Sequence, residues 1–161
     1  MDDVYLGNPL LKKANVAQEF TQEQILEFMA CKQDPVYFAK QHVKIVSLDE
    51  GLVPFKPYDF QEKLIENFHA NRFNICKMPR QTGKSTTSVS YLLHYAVFND
   101  NTNIGILANK AATARDLLGR LQTAYENLPK WMQQGIISWN KGSLELENGS
   151  KILAASTSAS A

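Results

Sequence analysis

The chain has 161 residues, 44% of them hydrophobic and 20% charged, which is typical of a globular domain and excludes a disordered tail. A formal net charge of +1 does not by itself indicate a polyanion partner, although it does not exclude DNA contact through a local basic patch. Cys31 and Cys76 lack metal-ligand spacing and form no disulfide framework, and no apolar run approaches the ~18 residues of a membrane span. We therefore expect a soluble, cytoplasmic protein with reduced thiols.

The N-terminal part, residues 1–56, is predicted to be an arm followed by a helical subregion. Thr21 and Gln24 form a capping-box pattern, and Asp34-Pro35 is an N-cap followed by a proline at the first helical position. The expected elements are an extended polar arm at 1–20, a helix at about 22–32, a second helix from Pro35 to about 42, and short strands at 43–47 and 52–55.

The remainder, residues 57–161, alternates helices and strands. Asp59 is expected to cap the first helix, and Asn148-Gly149 between alternating apolar residues is a strong hairpin signal. The predicted elements are helices at 60–71, 84–98 and 111–128 and strands at 73–77, 103–108, 136–139, 144–147 and 150–153. This order indicates an α/β fold with βαβ units on a parallel sheet. The carboxylates in the hairpin, Glu145 and Glu147, are expected on a solvated face.

A phosphate-binding loop is predicted between strand 73–77 and helix 84–98. Its sequence is Met78-Pro79-Arg80-Gln81-Thr82-Gly83-Lys84-Ser85, which fits the P-loop pattern except that Met78 replaces the first glycine. Converging backbone N–H groups and a helix N-terminus attract phosphate. Within this loop Gly83 allows close approach, Lys84 reaches the β- and γ-phosphates, Ser85 holds Mg²⁺, and Thr86 contacts the α-phosphate; Gln81 and Thr82 complete the loop. The alternative is a plain helix start.

Two further residues are candidates for the same site. Arg80 keeps its charge and forks onto phosphate oxygens, so it is a candidate catalytic residue beside Lys84; the alternative is a loop arginine paired with a carboxylate or with solvent. The Gln61 amide matches the N6/N7 edge of adenine, although a glutamine near a helix start is usually solvated.

Four stretches together resemble the large terminase subunit of tailed bacteriophages, most closely the T-even type. They are Tyr58-Asp59-Phe60-Gln61, Arg80 to Ser85, Ile106-Leu107-Ala108-Asn109-Lys110, and Trp139-Asn140-Lys141-Gly142-Ser143 continuing to Ser150. The resemblance implies an ATP-driven motor that packages viral DNA, with an additional-strand, helicase-like P-loop domain and a separate nuclease domain. It implies that Gln61 contacts adenine, that Lys84 and Ser85 bind the phosphates and Mg²⁺ of ATP, and that Arg80 acts on the γ-phosphate.

The same resemblance implies double-stranded DNA, the portal or prohead and the small terminase subunit as partners. It also implies the cytoplasm of an infected bacterium, and a ring oligomer only for the full-length protein on the portal. We expect the Walker B carboxylates and the nuclease domain to lie beyond residue 161, so that this stretch alone is inactive or weak. The alternatives are part of a superfamily 2 helicase-like translocase and a non-hydrolysing nucleotide-binding module.

Overall fold

The computed structural model describes residues 3–47 and 49–157 and has a mixed α/β fold. Within those residues it has five helices: α1 (Gln22–Gln33), α2 (Pro35–His42), α3 (Asp59–Ala70), α4 (Lys84–Phe98) and α5 (Ala111–Glu126). Two small hairpins come from β1 (Val4–Tyr5) with β2 (Asn8–Lys12), and from β3 (Lys44–Ser47) with β4 (Gly51–Pro54). A larger sheet contains β5 (Asn103–Ala108), β6 (Ile136–Trp139), β7 (Ser143–Leu146) and β8 (Lys151–Ser156).

The larger sheet is mixed, which corrects the expectation of a parallel sheet. Its order is β5-β8-β7-β6, and only β5 and β8 run parallel. The predicted Asn-Gly turn joins β7 to β8 antiparallel, with Leu144 opposite Ile152 and Gly149 in the left-handed region at φ 82°. The Asn148 amide donates 2.9 Å to the carbonyl of Ala96, so this turn is also attached to the end of α4.

The helices pack against each other and against the sheet around one buried cluster. Leu118, Leu121 and Tyr125 of α5 are fully buried, as its apolar spacing predicts. Phe98 at the end of α4 meets Phe28 of α1 and Phe38 of α2 edge-on, at centroid separations of 4.9 and 5.3 Å. Edge-on aromatic pairs contribute about 0.5–1.5 kcal/mol each beyond their buried area. The N-terminal helices and α4 therefore share a core.

The N-terminal arm differs from its prediction because it folds into the β1–β2 hairpin and docks. Leu11 is buried, and the Lys12 amide donates 3.0 Å to Gln133 Oε1. Lys13 forms an isolated parallel bridge with Ile136 of β6. The partners lie more than 120 positions away, so no local pattern could reveal this attachment.

Glu145 and Glu147 differ from each other. Glu145 forms an ion pair with Lys151 at 3.0 Å across β7 and β8. Glu147 accepts hydrogen bonds from the backbone N–H groups of Gly135 at 2.7 Å and Asn15 at 2.9 Å. The expectation of a solvated face is therefore wrong for Glu147, which fastens the N-terminal arm to the sheet.

Candidate functional site

The segment between α3 and α4 carries the predicted loop, but its predicted strand is not formed. Residues 73–77 have no regular secondary structure, and Phe73 and Ile75 are 83% and 99% exposed. A strand needs a hydrogen-bonded neighbour, and in the described part of the chain neither edge of the four-stranded sheet pairs with this segment. The loop therefore follows an open segment rather than a sheet strand.

The loop backbone is turned by two left-handed residues. Gln81 has φ 61° and Gly83 has φ 75°, and Lys84 then begins α4. Left- and right-handed residues in alternation point successive N–H groups toward one concave side, which favours anions. Gly83 is the N-cap of α4, no side chain caps this end, and the first turn has no acidic residue. The N–H groups at the start of α4 are thus left for another partner.

Lys84 folds back over the loop. Its Nζ donates 3.0 Å to the carbonyl of Met78 and also donates to the carbonyl of Pro79. The Thr82 hydroxyl donates 3.0 Å to the same Pro79 carbonyl. The ammonium group is therefore held at the loop by neutral oxygens, without a carboxylate partner among the described residues.

The other predicted loop residues are more accessible. Arg80, Gln81 and Ser85 are exposed, and Thr86 is half-buried. Arg80 has neither a hydrogen bond nor an ion pair with any residue in the described ranges. The guanidinium group is free to turn toward a ligand at the loop.

Gln61 joins α3 to the loop. Its Oε1 accepts from the Tyr58 backbone N–H at 2.9 Å, and its Nε2 donates 3.3 Å to the carbonyl of Thr82. Only 4% of this residue is exposed, so the solvated alternative is wrong. The N-cap of α3 is Tyr58 and not Asp59, because the Gln61 side chain satisfies the Tyr58 N–H. The amide retains one donor and one acceptor position.

An aromatic pair stands beside Gln61 and was missed by the sequence reasoning as a candidate. The rings of Tyr58 and Phe60 stack at 5.7 Å with an interplanar angle of 11°, and they are 70% and 45% exposed. Exposed flat rings stack on nucleic-acid bases at about 1–3 kcal/mol per base. The alternation of aromatic residues in Tyr58-Asp59-Phe60-Gln61 is the signal that could have identified them.

A groove of about 770 Å³ runs along one side of the loop. It lies between the β3–β4 hairpin, α4 and α5, and its lining includes Gln81, Thr86 and Ser90. Lys84 and Ser85 are not part of its lining. The groove therefore borders the candidate phosphate loop without coinciding with it.

The arrangement brings together two left-handed loop residues, a helix N-terminus without a side-chain cap, and two cations, Arg80 and Lys84, that lack a carboxylate partner among the described residues. Such features favour an anion of phosphate type, and a serine hydroxyl is a hard oxygen ligand of the kind that suits Mg²⁺. No helix in the described ranges is apolar and long enough to cross a bilayer. A family model described as "Terminase large subunit, T4likevirus-type, N-terminal" matches residues 75–161, which include the whole loop.

Proposed function

The chain belongs to the T4-type large terminase subunit family, and from this premise we propose that it supplies the ATP-binding loop of a viral DNA-packaging motor. Family membership supports a role in packaging viral DNA, with DNA and packaging proteins as partners. The match also favours this function over that of a superfamily 2 translocase.

The observation that carries the proposal is the geometry of residues 81–84. Two left-handed residues lead directly into an uncapped helix, so backbone N–H groups and the helix dipole act on the same point. Gly83 allows this turn without a side chain in the way. The triphosphate of ATP fits this environment because it is anionic and offers many acceptor oxygens.

Each polar side chain then has a role. Lys84 exchanges the carbonyls of Met78 and Pro79 for β- and γ-phosphate oxygens. Ser85, already exposed, contributes its hydroxyl to Mg²⁺, and Thr86 contacts the α-phosphate. Mg²⁺ when bound neutralises phosphate charge. Arg80 swings its guanidinium group onto the γ-phosphate and stabilises the charge that develops during transfer, a contribution worth ~10³–10⁵ in rate for arginines so placed.

The adenine base is assigned to the N-terminal end of α3. The free donor and acceptor positions of the Gln61 amide complement the N6/N7 edge, and Tyr58 or Phe60 supplies a stacking surface. Gln61 also donates a hydrogen bond to the Thr82 carbonyl, so the residue that would bind the base is in direct contact with the loop that would bind the phosphates.

The test measures the affinity of the Lys84→Ala variant for a fluorescent ATP analogue. Loss of a charge-assisted contact of about 1.5–3 kcal/mol predicts an affinity weakened about 10- to 150-fold, with the circular dichroism spectrum retained. Lys141→Ala removes the same charge from an exposed position in the β6–β7 turn and serves as the matched control. Equal affinity in Lys84→Ala and Lys141→Ala would overturn the assignment.

A further inference from the structure

Three potential metal ligands meet where α1 packs beside the end of α2. Glu27 and Cys31 lie one turn apart on α1, and His42 is the last residue of α2. Glu27 Oε1 is 2.7 Å from His42 Nε2 and 3.6 Å from Cys31 Sγ, and the three donor atoms all lie within 4.8 Å of one another. The ligands come from two helices, which explains why linear spacing did not reveal them.

The thiol is placed unusually for a simple core residue. Cys31 is fully buried, whereas Glu27 and His42 are half-buried, so the thiol is covered and the carboxylate opens outward. A buried cysteine usually packs as a small apolar group, but this sulfur faces a carboxylate oxygen. Burial, with the charge of Glu27 adding to it, raises the pKa of the Cys31 thiol to about 12. Without a metal the thiol is therefore protonated.

One of the three ligand separations is close to that of a tetrahedral zinc site, and a second is shorter. Zn–S of about 2.3 Å with Zn–O and Zn–N of about 2.0–2.1 Å places sulfur and oxygen about 3.5 Å apart and oxygen and nitrogen about 3.3 Å apart. The observed sulfur–oxygen separation is 3.6 Å. The observed oxygen–nitrogen separation of 2.7 Å needs to open by roughly 0.6 Å, which a small rotation of the imidazole provides.

We propose that Glu27, Cys31 and His42 form a binding site for a divalent ion of the zinc class. Thiolate and imidazole together select zinc-like ions, and the carboxylate disfavours the softer Cu(I). The half-exposed side of the site leaves the fourth position to water. The ion displaces the thiol proton to solvent when it binds. It joins α1 to the end of α2 and so clamps the N-terminal helices.

The surroundings already orient two of the ligands. The Tyr37 hydroxyl donates 3.0 Å to Glu27 Oε2, which leaves Oε1 directed at the thiol and the imidazole. The Trp131 and His42 rings are perpendicular to each other, at 6.2 Å between centroids. Outer hydrogen bonds of this kind typically change metal affinity 10- to 100-fold when removed.

The proposal is tested by titrating the 161-residue chain, kept reduced, with Co²⁺ and following the ultraviolet thiolate-to-cobalt charge-transfer band. The chain has two cysteines, so Cys76→Ser leaves Cys31 as the only thiol. Cys76→Ser should retain the band, and Cys31→Ser should lose it. Absence of the band from the unsubstituted chain, or its loss in Cys76→Ser, would overturn the site, even if Cys31→Ser failed to fold.

Competition between Co²⁺ and Zn²⁺ then measures the Zn²⁺ affinity of variants at the two remaining ligands and of matched control variants. Glu27→Gln and His42→Gln should each weaken Zn²⁺ binding by at least tenfold. Glu23→Gln on the exposed side of α1 and His69→Gln on α3 should leave the affinity unchanged. Zn²⁺ should also raise the thermal midpoint of Cys76→Ser but not that of Glu27→Gln. A network held only by hydrogen bonds predicts equal midpoints with Zn²⁺ and with chelator, and that result rejects the metal.

Discussion

Replacing Gly83 with alanine is expected to destabilise the protein through two separate effects. The backbone at Gly83 has φ 75°, which costs a residue with a Cβ about 1–2 kcal/mol. A Cβ there would also overlap the Gln61 amide nitrogen. Gln61 is only 4% exposed, so it can yield only by giving up its hydrogen bonds to Tyr58 and Thr82. Loss of the two hydrogen bonds costs about 0.5–1.5 kcal/mol each, so Gly83→Ala should lower the free energy of unfolding by about 2–5 kcal/mol in all.

Urea unfolding followed by tryptophan fluorescence measures this free energy, and two other glycines separate its parts. Gly51 has φ 72° and open space around its Cβ position, so Gly51→Ala should cost only the conformational part, about 1–2 kcal/mol. Gly119 lies inside α5 and also has open space around its Cβ position. Gly119→Ala should therefore increase the free energy of unfolding by about 0.5–1 kcal/mol. A Gly83→Ala cost no larger than that of Gly51→Ala would refute the contact with Gln61.

Two further outcomes follow from buried groups. A maleimide should modify exposed Cys76 quickly and Cys31 only after unfolding, because Cys31 is fully buried and its thiol pKa is raised; mass spectrometry of peptides distinguishes the two, and equal rates would contradict the burial. Burial lowers the pKa of His94 from 6.5 to about 4. Between these pH values the imidazole is protonated in the unfolded chain and neutral in the folded chain. Stability is therefore full above about pH 6.5 and falls toward pH 4, by up to ~1.4 kcal/mol per pH unit. His94→Gln, which keeps an amide for the Cys31 carbonyl, should flatten that part of a urea-midpoint profile, and an unchanged slope would assign it to other groups.

Elements with strong local signals could be predicted from the sequence. The Thr21–Gln24 capping box begins α1, and the proline after Asp34 begins α2, because caps act within one helical turn. The Asn148-Gly149 turn joins β7 and β8 because its backbone needs a left-handed residue that glycine supplies. In each case the information lies within about four residues.

Features that depend on distant partners could not be predicted in this way. Residues 73–77 have the composition of a buried strand, yet pairing and not composition makes a strand, and the described chain offers them no partner. Glu147 looked solvated because its alternation with leucine is a local pattern. Its hydrogen bond from Asn15 spans 132 positions. Motif analysis identified Lys84 and Gly83 as candidates, but the burial of Gln61 between α3 and the loop emerged only from the packing.

The contacts of Lys84 bear directly on how the proposed phosphate site would fill. Its ammonium group is held by the neutral carbonyls of Met78 and Pro79, so no carboxylate must be displaced when an anion arrives. An anionic phosphate oxygen adds the Coulomb attraction of opposite charges, which a neutral carbonyl lacks, and this favours transfer of the ammonium group to a phosphate oxygen. The Pro79 carbonyl would keep the Thr82 hydroxyl as a donor after that transfer. The loop can therefore exchange its internal lysine bonds for phosphate bonds while retaining a bond that preserves its shape.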